Sequence, residues 1–282
     1  MRRRLIIATI AALVVGFGQV LVTTQQPAPA GRYTPPPGAK DLKAVLFNWV
    51  WHMGMLRGPA EIEAVATLEH KASGTVQVAG QPCKLTAYRV STNYQVPGQR
   101  IQYTCARANG QEYKAIEVVS GQFAWDEDMV GAELVAGKGK ATATPAALHE
   151  RLIRLWASPQ GAPKAAAAGG DKTTVSHDTG KAVVTFPVPG VPGAVATATL
   201  NAQYMAERVE VRQGAVVTEF TYADYADYNN PLNKVDAFYP GKLVERRNGA
   251  IIRDLTTTET ETGNVYVVMP VPASVRKTAA QR

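Results

Sequence analysis

The spacing of hydrophobic residues predicts a helix near the start of the chain and strands after it. From Leu42 to Leu56 apolar residues recur at helical spacing, and Phe47, Trp51 and Met55 make a second side of the helix apolar. Such a helix is enclosed over most of its surface. From Ile62 the period changes to two, and short turn sequences separate successive strands. Short connections make neighbouring strands antiparallel, so we predict a meander.

A second helix is predicted at residues 145–157, between two groups of strands. Leu148, Leu152, Leu155 and Trp156 lie on one stripe of it, and Pro145 begins it. A sheet of about ten twisted strands tends to curl. We therefore predict an α+β fold: a strongly curved antiparallel β-sheet forms an incomplete barrel, with the apolar N-terminal helix and the second, amphipathic helix against its concave side.

The closing hairpin has the clearest turn signal, because Asn248 and Gly249 both tolerate the positive φ of a type I′ turn. This turn predicts three cross-strand pairs: Arg247 with Ala250, Glu245 with Ile252, and Leu243 with Asp254. Apolar and charged residues are then mixed on both faces, unlike a sheet that packs on one side only. We expect one face to be partly wet and the other to be shared with a bulky element.

The ends of the chain differ from the folded body. Residues 1–30 combine three arginines, an apolar run from Leu5 to Val22 and the small-residue site Ala28-Pro29-Ala30, which predicts a signal peptide cleaved near Ala30. An uncleaved N-terminal anchor formed by residues 5–22 stays open as the alternative. We expect a Pro-rich linker at 31–40, one domain at 41–271 and a polar tail at 272–282.

Charge and cysteine content fit an exported protein without nucleic-acid partners. The formal net charge of +7 is concentrated at the two ends of the chain, so the body is nearly neutral. The two cysteines, Cys83 and Cys105, are expected to form a disulfide in an oxidising compartment. Direct pairing of the two places Leu85 opposite Tyr103 and Ala87 opposite Ile101, with residues 91–99 as the loop. Two unpaired buried thiols are the alternative.

Residue patterns for catalysis are weak. Asp126, Glu127 and Asp128 follow a strand and could supply an acid and a base, but a solvated strand end is the preferred interpretation. His149 and Glu150 share a helix, yet the zinc motif needs a second histidine where Ile153 stands. We therefore expect no enzyme, no cofactor and no metal. An aromatic cluster around a turn forms either a cavity mouth or edge packing: Tyr222, Tyr225, Tyr228 and Tyr239.

The closing residues resemble a known family. The pattern runs through Asp224 to Tyr228, Tyr239-Pro240-Gly241-Lys242-Leu243 to Arg247, Asn248-Gly249, Asp254 to Thr262 and Met269-Pro270. It resembles the LolA/LolB-like superfamily of periplasmic lipoprotein carriers. The resemblance implies an incomplete barrel closed by helices, with an apolar cavity that accepts acyl chains. The chain departs from the family's basic unit by extra residues around 137–180, and no ligand-binding arginine can be placed by motif.

Together these observations predict a periplasmic or secreted protein that binds a hydrophobic ligand, as a carrier or chaperone. Its expected partners are lipid or acylated protein, with inner-membrane or outer-membrane lipoprotein machinery behind them. The alternative is a structural or interaction module of the cell envelope whose cavity is filled by its own helix; a hydrolase using Asp126 to Asp128 has the least support. The predicted ligand-binding residues are Phe47, Trp49, Val50, Trp51, Met53, Met55, Leu85, Ile101, Tyr103 and Trp125.

Overall fold

The computed structural model describes residues 38–55, 65–228 and 237–280. These residues belong to one compact unit, Pro35–Arg282. The predicted signal or anchor and most of the predicted linker lie outside the described residues, as do the residues around the predicted start of the first strand.

Four α-helices are found in the described part of the chain. α1 spans Leu42–His52, and it begins where Asp41 Oδ1 accepts a hydrogen bond of 2.9 Å from Ala44 N. α2 spans Leu148–Ala157 after a short 3-10 turn at Pro145–Ala147, which confirms the two predicted helices. α3, Gly161–Ala168, and α4, Ala273–Ala280, are additions that the sequence pattern did not predict.

Thirteen strands form one antiparallel sheet, in the order β6-β5-β4-β3-β2-β1-β13-β12-β11-β10-β9-β8-β7. The strands in chain order are β1 Thr67–Val78, β2 Gln81–Asn93, β3 Gly98–Arg107, β4 Glu112–Ser120, β5 Phe123–Glu127, β6 Ala141–Ala143, β7 Thr174–Asp178, β8 Lys181–Pro187, β9 Val195–Leu200, β10 Ala206–Gln213, β11 Val216–Asp227, β12 Phe238–Arg247 and β13 Ala250–Thr262.

The α+β class and the antiparallel meander are confirmed, but the strongly curved incomplete barrel is not. The sheet is open, and strong curling is not found. Its two end strands, β6 and β7, are short, and each pairs with a single neighbour. The pairing of β1 with β13 joins the two halves of the meander at the centre of the sheet, so the first and last strands lie near its middle and do not close its edges.

A β-bulge changes the predicted register of the closing hairpin. Arg247 pairs with Ala250 as predicted, but Ile252 is an extra residue after Arg246–Ile251. Glu245 therefore pairs with Arg253, and Leu243 with Leu255, in place of Ile252 and Asp254. Because one extra residue reverses the faces of a strand, the bulge turns Arg253 and Leu255 toward the side of the sheet on which Glu245 lies.

The disulfide between Cys83 and Cys105 is present, with the two Cα atoms 5.5 Å apart. The predicted register around it is wrong, because the cysteines are diagonal neighbours: Cys83 pairs with Arg107, and Cys105 with Leu85. A shift between Leu85 and Ala87 then brings Tyr88 opposite Tyr103, and the strands continue to Asn93 and Gly98. The turn is thus shorter than the predicted loop.

Buried apolar side chains form three clusters. The helix-covered core joins α1, α2 and α3 to the sheet and includes Trp49, Leu155 and Phe186. The disulfide core has no helix in it, and it contains Val76, Val78, Cys83, Leu85, Tyr88, Val90, Ile101, Tyr103, Cys105 and Leu255. The outer cluster packs β4, β5 and β6 against the C-terminal segment and contains Val118, Trp125, Ala132, Ala141, Val267, Met269 and Val275.

The C-terminal residues expected as a polar tail include α4. Val275 on this helix is buried in the outer cluster. Ser274 Oγ donates a hydrogen bond of 2.8 Å to Glu133 Oε1, which joins the first turn of α4 to the segment between β5 and β6. The sequence beyond Val271 thus contributes to the fold.

Candidate functional site

A small cavity lies between α2 and the sheet, at the border of the helix-covered and disulfide cores. Its volume is about 40 Å³, and Arg154 and Ser158 line it on the helix side. The strands contribute apolar side chains such as Leu68, Val90 and Phe220, and the polar side chains of His70, Tyr88, Gln99 and Glu245, among others. Small-molecule sites usually enclose about 300–1,000 Å³. This cavity holds only one or a few water-sized molecules.

Buried charges form one wall of the cavity. Arg154 on α2 places Nε 2.9 Å from Glu245 Oε2 on β12, and Arg253 on β13 places Nη1 3.0 Å from the same oxygen. Arg253 Nη2 also lies 3.2 Å from Glu117 Oε2 on β4. Glu245 is 1% exposed. The network therefore links a helix to three strands, and Arg154, Glu245 and Arg253 are buried, whereas Glu117 is half-buried.

The arginines keep Glu245 and Glu150 ionised. Burial acts to raise the pKa of Glu245, but Arg154 and Arg253 outweigh it, so the pKa lies below its ordinary value. The pKa of Glu150, which pairs with Arg154 and Arg247, is lowered to about 2, because the two arginines again outweigh burial. Near neutral pH the wall of the cavity therefore consists of paired charges.

A second arginine, Arg151, attaches α2 to β4 and β5. Arg151 Nη1 donates to Val118 O at 3.0 Å and to Trp125 O at 2.6 Å, and Nη2 pairs with Asp126. Ser158 at the end of α2 lies 3.0 Å from Tyr94 Oη through its Oγ. Polar contacts thus hold both ends of α2 in place above the cavity.

Buried aromatic residues form the floor of the cavity. His70 on β1 is buried, and its Nδ1 lies 3.2 Å from Tyr239 Oη. Burial lowers the pKa of His70 to about 3, so the ring is neutral at neutral pH. Tyr222 donates a 2.6 Å hydrogen bond to Ala157 O. Of the predicted tyrosine cluster, Tyr222 and Tyr239 line this cavity and are buried, so they do not form an exposed mouth.

The predicted ligand-binding residues are divided among the three clusters. Four residues of the α1 segment lie in the helix-covered core: Trp49, Val50, Met53 and Met55. The rings of Phe47 and Trp51 stack on one another with centroids 6.1 Å apart. Leu85, Ile101 and Tyr103 lie in the disulfide core and Trp125 in the outer cluster, where its Nε1 donates to Glu127. Of the ten, Ile101 is among the residues that line the cavity.

The sequence interpretation missed the residues that define the cavity wall. Arg154 and Arg253 were not among the predicted site residues, and Glu245 was predicted only as part of a mixed hairpin face. Arg151 and Arg154 lie on the same helix as the apolar stripe of Leu152 and Leu155. Arginine on the buried side of a helix is a signal that carboxylates lie opposite it. The position of Arg253 could not be found in this way, since it depends on the bulge.

The three successive carboxylates do not converge on one site. Asp126 pairs with Arg151, and Glu127 with Arg100. Asp128 Oδ1 accepts a 2.7 Å hydrogen bond from Lys140 N. Each thus has a structural partner. Across the residues that the structure describes, no cluster of histidine, cysteine and acidic side chains could hold a metal ion.

A wider concavity of about 640 Å³ crosses β1 to β5. Charged side chains at its rim are paired: Lys71 with Glu259, Arg89 with Glu69, and Lys114 with Glu112. It is an open surface groove whose lining includes both charge signs.

None of the helices in the described ranges is long and apolar enough to cross a membrane.

Comparisons with known proteins find a structural similarity but no sequence match. No family model matches the chain, and no curated protein sequence matches it. The fold is similar to the crystal structure of a candidate outer membrane lipoprotein-sorting protein domain from Vibrio parahaemolyticus, at 12% sequence identity and a TM-score of 0.41, covering 77% of this chain and 92% of that chain. The resemblance predicted from the closing motif and this structure name the same class of protein. We transfer neither a ligand nor a partner at this level of similarity.

Proposed function

We propose that this protein binds a hydrophobic ligand, a lipid or the acyl chains of a lipoprotein, between its sheet and its helices, as a non-catalytic carrier or chaperone outside the cytoplasm. The observation that carries the proposal is the cavity beneath α2. It lies where a helix layer is laid across strands of both halves of the sheet, and the layer is attached by side-chain contacts. In this proposal the structure is the closed, ligand-free form.

Contacts across the sheet support a bent concave side for this ligand. Glu117 on β4 and Arg253 on β13 are separated by β3, β2 and β1, yet their side chains form an ion pair. Arg154 on α2 contacts both Glu117 and Glu245. In this proposal, displacement of α2 would join the cavity to the space now filled by helix side chains.

The disulfide and the resemblance of the closing residues support the location and the ligand class. A native disulfide is typical of proteins folded outside the cytoplasm. The side chains that would contact a ligand after α2 moves include Met53, Met55 and Trp49, and methionine adapts its shape to irregular apolar partners. We expect lipid or acylated protein as the partner.

A self-filled interaction module is the second candidate, and the cavity volume favours it. At about 40 Å³ the cavity has no room for an acyl chain unless the helices move. In that case α1, α2 and α3 are permanent parts of the core, and the protein acts through its surface.

Lipid binding separates the two candidates. Organic-soluble material that accompanies the purified protein is identified by mass spectrometry, and a fluorescent long-chain fatty acid is titrated into delipidated protein. We expect saturable binding, and faster binding by the double variant Arg154→Met Glu245→Leu, in which apolar side chains replace the charged link between α2 and β12. The double variant Lys181→Met Glu207→Leu, which removes an exposed ion pair, is the matched control.

The control variant Lys181→Met Glu207→Leu should bind the fluorescent fatty acid at the same rate as the unchanged protein. Absence of accompanying lipid together with absence of probe binding by the unchanged protein and by Arg154→Met Glu245→Leu would reject the carrier and leave the module.

A further inference from the structure

The segment between β5 and β6 holds apolar side chains out in solvent. Met129, Val130, Leu134 and Val135 are between 46 and 56% exposed. Contiguous exposed apolar side chains on a folded protein usually mark a surface that contacts a partner or a membrane. We name residues 129–138 the apolar loop.

Hydrogen bonds give the apolar loop a defined shape. Lys138 N donates to Val135 O at 3.0 Å, and Glu133 N donates to Lys138 O at 2.8 Å, so Leu134 and Val135 lie at the tip of a closed turn. At its base, Gly131 N donates to Glu127 Oε2 at 2.9 Å and Ala141 N to Glu133 Oε1 at 3.1 Å. The exposed apolar side chains are therefore presented on an ordered scaffold.

The charges around the apolar loop are predominantly positive. Lys138 and Lys140 are exposed, and so are Arg276 and Lys277 on α4, whose first turn is joined to the loop by the Ser274–Glu133 hydrogen bond. The nearby acids are turned toward the protein: Glu127 is buried, Glu133 is half-buried and bonds backbone N–H groups, and Asp128 is exposed but accepts from Lys140 N.

We propose that the apolar loop docks onto an anionic lipid surface, with Leu134 and Val135 entering the interface and Lys138, Lys140, Arg276 and Lys277 facing the headgroups. Apolar side chains flanked by cations are the combination that binds anionic membranes at the interface, since burial of the first adds to the electrostatic attraction of the second. This inference does not depend on the ligand proposed above.

A fluorescent label at the tip tests the proposal in the full chain. Leu134→Cys is labelled with the environment-sensitive dye NBD; the native cysteines do not react, because both are in the disulfide. With vesicles of phosphatidylglycerol and phosphatidylcholine we expect a blue shift and a severalfold rise in emission, reduced by high salt. Changing Lys138 and Lys140 to Gln should lower the apparent affinity about 30-fold, at about 1 kcal/mol for each lysine.

Val216→Cys, labelled in the same way, is the matched control, because Val216 is also exposed but lies at the start of β11. Its emission should not change, whatever residues 1–30 do in the bilayer, since the dye reports its own surroundings. Three results would overturn the proposal: no change at position 134, an equal change at position 216, or an equal change with phosphatidylcholine alone. A change that requires no vesicles and grows with protein concentration would assign the surface to a second copy of the chain.

Discussion

The helix-covered core and the disulfide core exclude water in different ways. In the first, α1, α2 and α3 cover the strands, and α3 contributes small side chains such as Ala162 and Ala165. In the second, strands of the same sheet are shielded without a helix: Tyr88 and Tyr103 lie with ring centroids 6.4 Å apart, and the Cys83–Cys105 disulfide lies in the same cluster. One core thus depends on a separate layer, and the other on covalent and aromatic contacts within the sheet.

The two cores also differ in the contacts that join their layers. The charged network of Arg154, Glu245, Glu117 and Arg253 lies at the border, and it joins the helix layer to the sheet. Buried ion pairs of this kind add little stability over apolar packing, but they are costly to leave half-formed. The helix layer is therefore fixed to the sheet by charged contacts as well as by apolar packing, whereas the disulfide core is held within the sheet.

The largest effect is expected from breaking the border. Glu245→Ala should lower the free energy of unfolding by about 3–5 kcal/mol, because it leaves two buried arginines without their shared carboxylate. Urea unfolding followed by circular dichroism measures the loss. Glu259→Ala, which removes the exposed partner of Lys71, should cost less than about 1 kcal/mol. Equal losses for the two variants would contradict a structural role of the border network.

Removing the disulfide should have the next largest effect and tests whether the cores unfold together. The double variant Cys83→Ala Cys105→Ala should lose about 3 kcal/mol, because a loop with a sequence separation of 22 is no longer closed in the unfolded chain. No tryptophan lies in the described disulfide core, so tryptophan fluorescence reports the other regions, and backbone hydrogen exchange of β2 and β3 reports the disulfide core.

Equal unfolding free energies from tryptophan fluorescence and from hydrogen exchange of β2 and β3 in the double variant would show one cooperative unit. If β2 and β3 exchange with a lower free energy, the disulfide core is independent of the helices. A reducing agent should reproduce the loss in the unchanged protein and have no effect on the double variant.

The smallest effect is expected from lowering the pH from 7.5 to 5, which removes about 2 kcal/mol of stability through His70. Its pKa is about 3 in the folded protein and near 6.5 when unfolded, so the unfolded chain binds more protons between these values. Stability is therefore complete above pH 6.5 and is lost as the pH falls toward 3, by at most about 1.4 kcal/mol per pH unit from this group. Glu150, whose pKa is lowered to about 2, adds a further loss below its ordinary range.

Unfolding free energies of the unchanged protein and of His70→Gln, measured between pH 7.5 and 5, isolate the histidine. The variant should show a flatter pH dependence over this range, because Gln does not titrate. Identical slopes for the two proteins would mean that His70 is not held neutral by its burial.

The sequence predicted the element types better than their pairing. The helical period at residues 42–56 and the stripe at 145–157 gave α1 and α2, and the turn at Asn248-Gly249 placed the first pair of the closing hairpin. α3 was missed because alanine-rich sequence has no strong apolar stripe, and its burial comes from the neighbouring helices and strands. Both hairpins shift register at bulges, which have no clear local signature in Ile252 or Thr86.

The enclosure of α1 was predicted from the sequence, but the position and lining of the cavity were not. Apolar helix positions such as Trp49 and Met53 were correctly expected to be enclosed, since a helix that is apolar on two sides has to be covered. The cavity instead lies beneath α2, and its polar residues come from strands far apart in the chain. Arg253 belongs to it because one bulge reverses the face of β13.

The antiparallel meander, the two principal helices and the disulfide could all be predicted from the sequence, since each follows from local spacing or from the number of cysteines. The shape of the sheet, the packing of three helices against it, and the contacts among Arg154, Glu245 and Arg253 were seen only in the folded structure. Local periodicity specifies which side of a helix or strand is buried. Contacts between elements far apart in the sequence depend instead on bulges and on how the whole chain packs.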